Sequence, residues 1–297
     1  MLLSKLFSKK KSNHTLAVTF RQHSLALCYI AESGDVICRT MPLISGDYKS
    51  AVAQICAEKD IEQSNCHLVL SASQSQTVQI EKPSIPVAEI NDALKWQVKD
   101  LVTYSPDNMI LDYYDGAVAI AGQEKVNVVC TAKSDLKNII APLIDEDFDV
   151  KSIITEEFAF AALVPEQEAA SLLICQQPNE EIVILIVKQG KLFFSRRLRG
   201  FMQLASKSED ELAMTVIDAL SLEVQRSTDY FERQLKQAPI QSIQIIVPIE
   251  HEGFLARKLA ENTNVAVEIL SLPEGFQGKR EYAAAIGAAQ VLNAGKS

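Results

Sequence analysis

A pattern of three strand-like segments occurs twice in this 297-residue chain. The clearer copy, LLICQQPNEEIVILIVKQGKLFFSRR, covers residues 172–197, and the other, LAVTFRQHSLALCYIAESGDVICRT, covers residues 16–40. The copies align without a gap, so that Gly34 falls on Gly190 (190 − 34 = 156). A repeat offset by about half the chain predicts two lobes of similar design, each beginning with a three-stranded meander. The alternative is that two unrelated meanders share glycine turns.

The composition is that of a globular protein, with 47% apolar and 23% charged residues, and the length suffices for two cores. The net charge of −9 argues against a general affinity for nucleic acid, so no nucleic-acid partner is expected. No run approaches the ~18 consecutive apolar residues that span a bilayer.

The six cysteines form no C-x-x-C pair and lie mostly in apolar, strand-like contexts. This pattern is typical of reduced cytosolic cysteines that pack as small hydrophobic residues. A disulfide framework is therefore not expected.

Residues 1–12 form a basic leader that interrupts the acidic trend of the chain. Its apolar run is too short for a signal peptide, and no small-residue cleavage site follows. A basic amphipathic segment can lie on an anionic membrane, where each basic residue contributes ~1 kcal/mol. The candidate membrane-surface residues are Leu3, Lys5, Phe7, Lys9, Lys10 and Lys11. A solvated chain terminus is the equally open alternative.

The pattern of apolar and turn residues in the first half changes between Pro83 and Pro106, which indicates an inserted subdomain of about residues 74–122. Within it, apolar spacing predicts a helix over 87–102, and a hairpin signal at Asp115–Gly116 predicts strands over 110–114 and 118–121. Trp96, the single tryptophan, lies beside the apolar stripe of this helix. It either packs on a neighbouring element or lines a partner groove. The first lobe resumes with a strand at 126–131.

The second half continues beyond its meander with a long predicted helix over 208–236, which Ser206 or Ser208 could cap. A strand at 243–247, a helix over 251–262 and a strand at 265–270 follow. The chain ends in EYAAAIGAAQVL at 281–292, a helix whose small residues, including Gly287, permit close packing against another element.

Motifs of common catalytic and metal centres are absent. The sequence contains no phosphate loop, no dinucleotide-binding glycine pattern, no nucleophile elbow and no H-E-x-x-H pair. The four histidines have no ligand spacing, so no catalytic residue and no metal are expected. The basic run SRRLR at 195–199 is interpreted as a solvated sheet edge, with an anion or partner contact as the alternative.

The order of elements resembles the actin-like ATPase superfamily, an α/β fold of two duplicated RNase H-like lobes with an inserted subdomain in the first. The chain is more closely similar to the PilM-type proteins of type IV pilus assembly, and among them to the MshI proteins of MSHA-type pili. The segments that carry this resemblance are LFSKKK, LKWQVKDLVTYSPDNMILDYY, FSRRLRGF, LSLEVQRSTDYFERQ and EYAAAIGAAQVL. The resemblance implies a leader at 1–12, a first lobe at 13–155, a second lobe at 156–278, and a C-terminal helix at 279–297 that returns to the first lobe.

In that superfamily nucleotide lies between the lobes, and the first turn of each meander holds phosphate with an Asp and small glycines. The pattern L-G-I-D-I-G falls on residues 16–21, so Thr19 replaces the metal-side Asp and Arg21 the second glycine. Cys175 and Gln177 occupy the corresponding positions of the second meander, and the adenosine-side glycine pair is missing near Val247. Mg²⁺ prefers carboxylate oxygens, so the resemblance implies a degenerate site without ATP, Mg²⁺ or catalysis.

The resemblance therefore implies a non-catalytic scaffold on the cytoplasmic face of the inner membrane. Its expected partner is the cytoplasmic tail of a PilN-like single-pass pilus protein, docked as an extended peptide between the first lobe and the insert. Trp96, Leu101 and Tyr104 are the candidates for lining that groove. The pilus assembly ATPase is a further expected partner. The alternatives are an active ATPase whose lobes open and close, and a small-molecule kinase of the same superfamily.

Overall fold

We describe the protein from a computed structural model, in residues 13–44, 46–58 and 60–294, with side chains up to residue 291. The basic leader predicted at residues 1–12 lies outside this range. The strands are β1 Thr15–Phe20, β2 Ser24–Ile30, β3 Val36–Pro42, β4 Asn65–Leu70, β5 Gln76–Glu81, β6 Met109–Asp115, β7 Lys125–Ala132, β8 Asp149–Thr155, β9 Ser171–Gln176, β10 Ile182–Lys188, β11 Lys191–Leu198, β12 Ser242–Ile246 and β13 Val267–Ile269. The helices are α1 Tyr48–Ala57, α2 Val87–Gln97, α3 Lys133–Asp145, α4 Glu156–Ala161, α5 Glu209–Thr215, α6 Ile217–Asp229, α7 Glu252–Glu261 and α8 Ala283–Ala294.

The two larger sheets have the same topology, which is the structural form of the sequence repeat. The first sheet has the order β3-β2-β1-β4-β8, and the second has the order β11-β10-β9-β12-β13. In each sheet an antiparallel meander is followed by two strands that run parallel to its first strand. We call the first sheet with α1 and α3 the first lobe, and the second sheet with α5, α6 and α7 the second lobe.

Gly34 and Gly190 both lie between the second and third strands of a meander, with φ angles of +90° and +68°. The turns themselves differ, because Ile30 pairs with Val36 whereas Lys188 pairs with Lys191. The second turn is therefore a two-residue hairpin in which Gln189 also has positive φ.

The insert is a third sheet of order β5-β7-β6, covered on one face by α2. The predicted boundary at residue 122 is wrong, because the strand assigned to the first lobe is β7, the central strand of the insert. The strand predicted over 118–121 is also absent. Positive φ angles at Ala121 and Gly122 reverse the chain there, leaving a single bridge between Ile120 and Gln123. The partner of β6 is thus β7.

The helix predicted over 208–236 is divided into α5, α6 and a π-helical turn, Tyr230–Gln234. The division falls at Val216, whose φ of −113° lies outside the helical range. Ser208 caps α5 through a reciprocal capping box with Glu211. The helix predicted over 87–102 ends earlier, at Gln97, and continues as turns.

Two helices, α4 and α8, lie where the two lobes meet. α4 follows β8 without an intervening residue, and α8 packs on α4 and on β1, β2 and β4 of the first sheet. One apolar cluster joins residues of both sheets with these helices, including Ala17, Val69, Leu173 and Leu185. None of the described helices has both the length and the apolar composition of a bilayer-spanning segment.

Cys28 and Cys38 lie opposite each other on β2 and β3 and are joined by a disulfide, with 4.3 Å between their Cα atoms. The expectation of exclusively reduced cysteines is wrong for this pair. No C-x-x-C spacing marks this pair, because the pairing depends on the register of the hairpin.

The contact between α4 and α8 leaves no room for a side chain at Gly287. A Cβ atom built there would lie 1.8 Å from the carbonyl oxygen of Ala159. We expect Gly287→Ala to lower the free energy of unfolding by about 3 kcal/mol, because overpacking forces backbone shifts. Chemical denaturation measures the change.

Gly253→Ala in α7 is the matched control, since a Cβ atom at this helical glycine would meet nothing within 4 Å. It should raise the free energy of unfolding by roughly 0.4–1 kcal/mol. Equal effects of the two substitutions would contradict the proposed close contact.

Candidate functional site

The four sequence-predicted nucleotide positions lie at the ends of β1 and β9, on either side of the cleft between the lobes. Thr19 is fully buried in β1, and its hydroxyl has no hydrogen-bond partner among the described residues. Cys175 is fully buried in β9, where its thiol donates to the carbonyl oxygen of Val183 at 3.2 Å. Burial raises the pKa of this thiol well above its usual value, so it stays protonated.

Arg21 and Gln177, at the two positions where the superfamily has glycines, contact each other across the cleft. The Arg21 Nε donates to the Gln177 Oε1 at 3.2 Å, and its Nη2 donates to the carbonyl oxygen of Glu281. The two residues are separated by 156 positions, the offset of the sequence repeat. Both are buried, and burial lowers the pKa of Arg21 to about 10, which leaves the guanidinium charged at neutral pH.

Two carboxylates that are largely removed from solvent, Glu156 and Glu180, lie beside this pair. Gln177 Nε2 donates to Glu156 Oε2 at 2.6 Å, and the backbone N–H of Gln22 donates to Glu180 Oε1 at 2.9 Å. Burial and the neighbouring Glu157 raise the pKa of Glu156 to about 7, and burial also raises the pKa of Glu180. The cleft is therefore closed by polar contacts that the chain makes with itself.

The adenosine side of the expected site is filled in a similar way. The N–H of Val247 donates to Glu252 Oε1 at 2.6 Å, and Glu252 forms an ion pair with Arg280. The same guanidinium donates to the carbonyl oxygens of Leu270 at 2.8 Å and Ile245 at 3.2 Å. The strand ends that would face an adenine are thus covered by the Arg280 side chain.

These residues do not fit Mg-ATP. Backbone N–H groups can approach phosphate closely only where side chains are small, and here Arg21 and Gln177 occupy that position. A hydroxyl and a protonated thiol are poor magnesium ligands. The described part of the chain contains no group of three or more His, Cys, Asp or Glu side chains placed to hold a metal ion.

The basic run at 195–199 is not simply a solvated edge. Arg197 Nε donates to Glu157 Oε1 at 2.8 Å. Its Nη1 donates to the carbonyl oxygens of Ala72 and Ser75, at 3.2 and 3.0 Å, in the segment that leads from β4 into the insert. Arg197 therefore ties the second lobe to the base of the insert.

A groove lies between the first lobe and the insert, where the edge strands β8 and β6 approach each other. It encloses about 280 Å³, and its walls are predominantly apolar. Its lining residues are Leu70, Asp112, Tyr113, Tyr114, Val129, Ile153, Ile154, Thr155 and Phe158. The rings of Tyr114 and Phe158 meet edge to face, with 4.8 Å between their centroids. Within the described residues, β8 pairs only with β4, and β6 only with β7.

The three candidate partner-binding residues lie outside this groove. Trp96 and Leu101 are 65% and 57% exposed, at the end of α2 and in the turns that follow it. Tyr104 is half-buried and packs against the apolar cluster between α2 and the insert sheet. Because side chains alternate along a strand, the groove lies largely on the opposite face of that sheet. The interpretation of Trp96 as a core residue is wrong.

Sequence reasoning missed the groove residues and the contact between Arg21 and Gln177. The repeat offset could have revealed the contact, because equivalent residues of duplicated lobes meet near the axis that relates them. No sequence signal marks the groove, because it depends on how the first sheet and the insert sheet are placed relative to each other.

No model of a protein family and no curated protein matches this sequence. Among solved structures, the chain is similar to one in a PilM-PilN type IV pilus biogenesis complex, with TM-score 0.69 and 16% identity over 93% of this chain and 97% of that one. The cytoplasmic domain of EpsL, an inner membrane component of the type II secretion system of Vibrio cholerae, matches with TM-score 0.54 and 15% identity over 94% and 95% of the chains. A Bacteroides thetaiotaomicron protein with an actin-like ATPase fold matches with TM-score 0.55 and 9% identity over 93% and 96%.

These matches cover nearly the whole chain and confirm the fold class predicted from the sequence. The chain has the two-lobed, actin-like α/β fold with an inserted subdomain in its first lobe.

The raised pKa of Glu156 makes a prediction about the pH dependence of stability. A buried carboxyl whose pKa is about 7 in the folded protein binds a proton more tightly than in the unfolded chain. Its contribution to stability is therefore fully present below its ordinary pKa of about 4.5 and is lost as pH rises through about 7.

Glu156→Gln keeps an acceptor for Gln177 and carries no charge, so it should remove this loss of stability at rising pH. We expect the variant to gain roughly 1–3 kcal/mol over the wild type as pH rises across this interval. Urea denaturation over a pH series measures the difference, and a difference that does not change with pH would contradict the assignment.

Proposed function

We propose that this protein is a PilM-type scaffold of type IV pilus assembly that binds the cytoplasmic tail of a PilN-like membrane protein and has no ATPase activity. The observation that carries the proposal is the similarity to the PilM-PilN complex chain, which extends over both chains almost completely. Within this type we assign it to the MshI proteins of MSHA-type pili, on the sequence segments that resemble them. The pilus assembly ATPase is a further partner on this proposal.

The proposed location is the cytoplasmic face of the inner membrane. The similarity to the cytoplasmic domain of EpsL, an inner membrane component, supports it. The basic leader at residues 1–12 would add an electrostatic contact with anionic lipid. Co-sedimentation with anionic vesicles, compared between the whole chain and one that lacks residues 2–11, measures that contact.

The groove between β8 and β6 is the docking site that we propose for the tail. It combines apolar walls with the edge strands of two sheets, neither of which carries a further strand among the described residues, and proteins bind extended peptides with such features. Main-chain hydrogen bonds to an edge would supply affinity, and the pockets around Tyr114 and Phe158 would select side chains. Trp96, Leu101 and Tyr104 remain a second candidate surface, because an exposed tryptophan is a common binding anchor.

Ile153→Asp is the test of the groove, since Ile153 lines it and is 37% exposed. We expect it to weaken binding of a synthetic PilN-like tail peptide by ~1–2 kcal/mol, because a carboxylate replaces an apolar contact. Fluorescence anisotropy measures the affinity, and thermal unfolding verifies that the variant is folded.

Ile144→Asp in α3 is the matched control, since this isoleucine is exposed and does not line the groove. Trp96→Ala and Tyr104→Ala decide between the two surfaces. If they weaken binding while Ile153→Asp does not, the tail binds at the end of α2. Unchanged binding in Ile153→Asp would contradict the groove.

The absence of ATPase activity rests on the contacts that fill the cleft, above all that between Arg21 and Gln177. We expect no heat of Mg-ATP binding by isothermal titration calorimetry and no phosphate release. A dissociation constant in the low micromolar range, which corresponds to a binding free energy of about −8 kcal/mol, would favour the alternative of an active ATPase.

A variant with Thr19→Asp, Arg21→Gly and Cys175→Asp restores the residue types of the superfamily pattern. If it binds Mg-ATP, the phosphate side is the part that was lost. If it does not, the Arg280–Glu252 pair on the adenosine side also prevents binding.

A further inference from the structure

The first three residues of α4 make contacts in three separate parts of the molecule. Glu156 accepts a hydrogen bond from Gln177, which in turn contacts Arg21 in the cleft. Glu157 accepts from Arg197, and Phe158 packs its ring against Tyr114 in the groove. The first turn of one short helix thus joins the cleft, the base of the insert and the wall of the groove.

The same turn is fixed at both of its ends. It follows β8 directly, so that Thr155, the last residue of the strand, and Phe158 both line the groove. On its other side, α4 packs on α8, where Gly287 approaches the backbone of Ala159. Because Glu156, Glu157 and Phe158 are consecutive residues of one helix, a displacement of the backbone at Phe158 would also move Glu156 and Glu157.

Polar contacts beside this turn join the two lobes. Arg21 belongs to the first lobe and Gln177 to the second, and the N–H of Gln22 donates to Glu180 across the same cleft. Arg197, in the second lobe, donates to the carbonyl oxygens of Ala72 and Ser75 in the segment that leads from the first lobe into the insert. Lobe separation would break all of these contacts and release the two glutamates that hold the turn.

We propose that the first turn of α4 couples the groove to the cleft, so that the groove binds its peptide tightly only while the lobes are closed. The groove exists in the closed structure, with Tyr114 and Phe158 already in place. A tail that binds the closed form stabilises closure. By reciprocity, a loss of closure lowers the affinity for the tail by the same factor. The coupling rests on the proposed function, because it requires a tail that binds in the groove.

The first experiment breaks the cleft contact at a distance from the groove. Arg21→Ala and Gln177→Ala are titrated with the PilN-like tail peptide, and we expect each to lower its affinity about fivefold or more. Gln167→Ala is the control, because it removes a side-chain hydrogen bond to Ser171 within the second lobe and should leave the affinity unchanged.

The second experiment uses the wild-type protein and does not depend on the stability of any variant. Hydrogen exchange of the Gln22 amide reports closure directly, since this N–H donates across the cleft. We expect saturating tail peptide to slow its exchange about fivefold or more. A merely structural role of α4 would leave that rate unchanged.

The outcomes separate the two proposals. A wild-type protein that does not bind the peptide overturns the proposed function, and the coupling with it. Binding with an unchanged exchange rate at Gln22 overturns the coupling and leaves the proposed function standing. If the cleft variants do not fold, the exchange measurement alone decides.

Discussion

The arrangement of the lobes depends on one contact in which a backbone meets a backbone. Position 287 has no side chain, so α8 approaches the carbonyl of Ala159 more closely than any other residue would allow. This contact holds α4, which follows the last strand of the first sheet, against the helix that covers β1 and β4. The cleft residues, the base of the insert and the groove all take their positions from α4.

Arg21 and Gln177 follow equivalent strands of the two duplicated sheets. Glycines at the ends of two equivalent strands leave a space for phosphate, whereas Arg21 and Gln177 fill that space from both sides. The guanidinium keeps its charge because a carboxamide, a carbonyl oxygen and nearby carboxylates replace the water that it loses. The polar partners of these two side chains thus belong to the chain itself.

The sequence predicted the parts of the fold that have a local period. Both meanders, the capping of α5 by Ser208 and the small residues of α8 could be read from apolar spacing and turn residues. The insert was harder to predict, because its strands are half-exposed and the turn at Ala121 resembles a strand in composition. The break at Val216 and the Cys28–Cys38 pairing depend on tertiary packing and register, for which a single sequence carries no signal.

The polar closure of the cleft determines whether its opening depends on the concentration of another molecule. A cleft closed by a bound nucleotide opens more often when the nucleotide becomes scarce, because its closure is bimolecular. Here the closing groups are covalently part of one chain, so the contact between them is a unimolecular equilibrium that dilution of the protein does not shift.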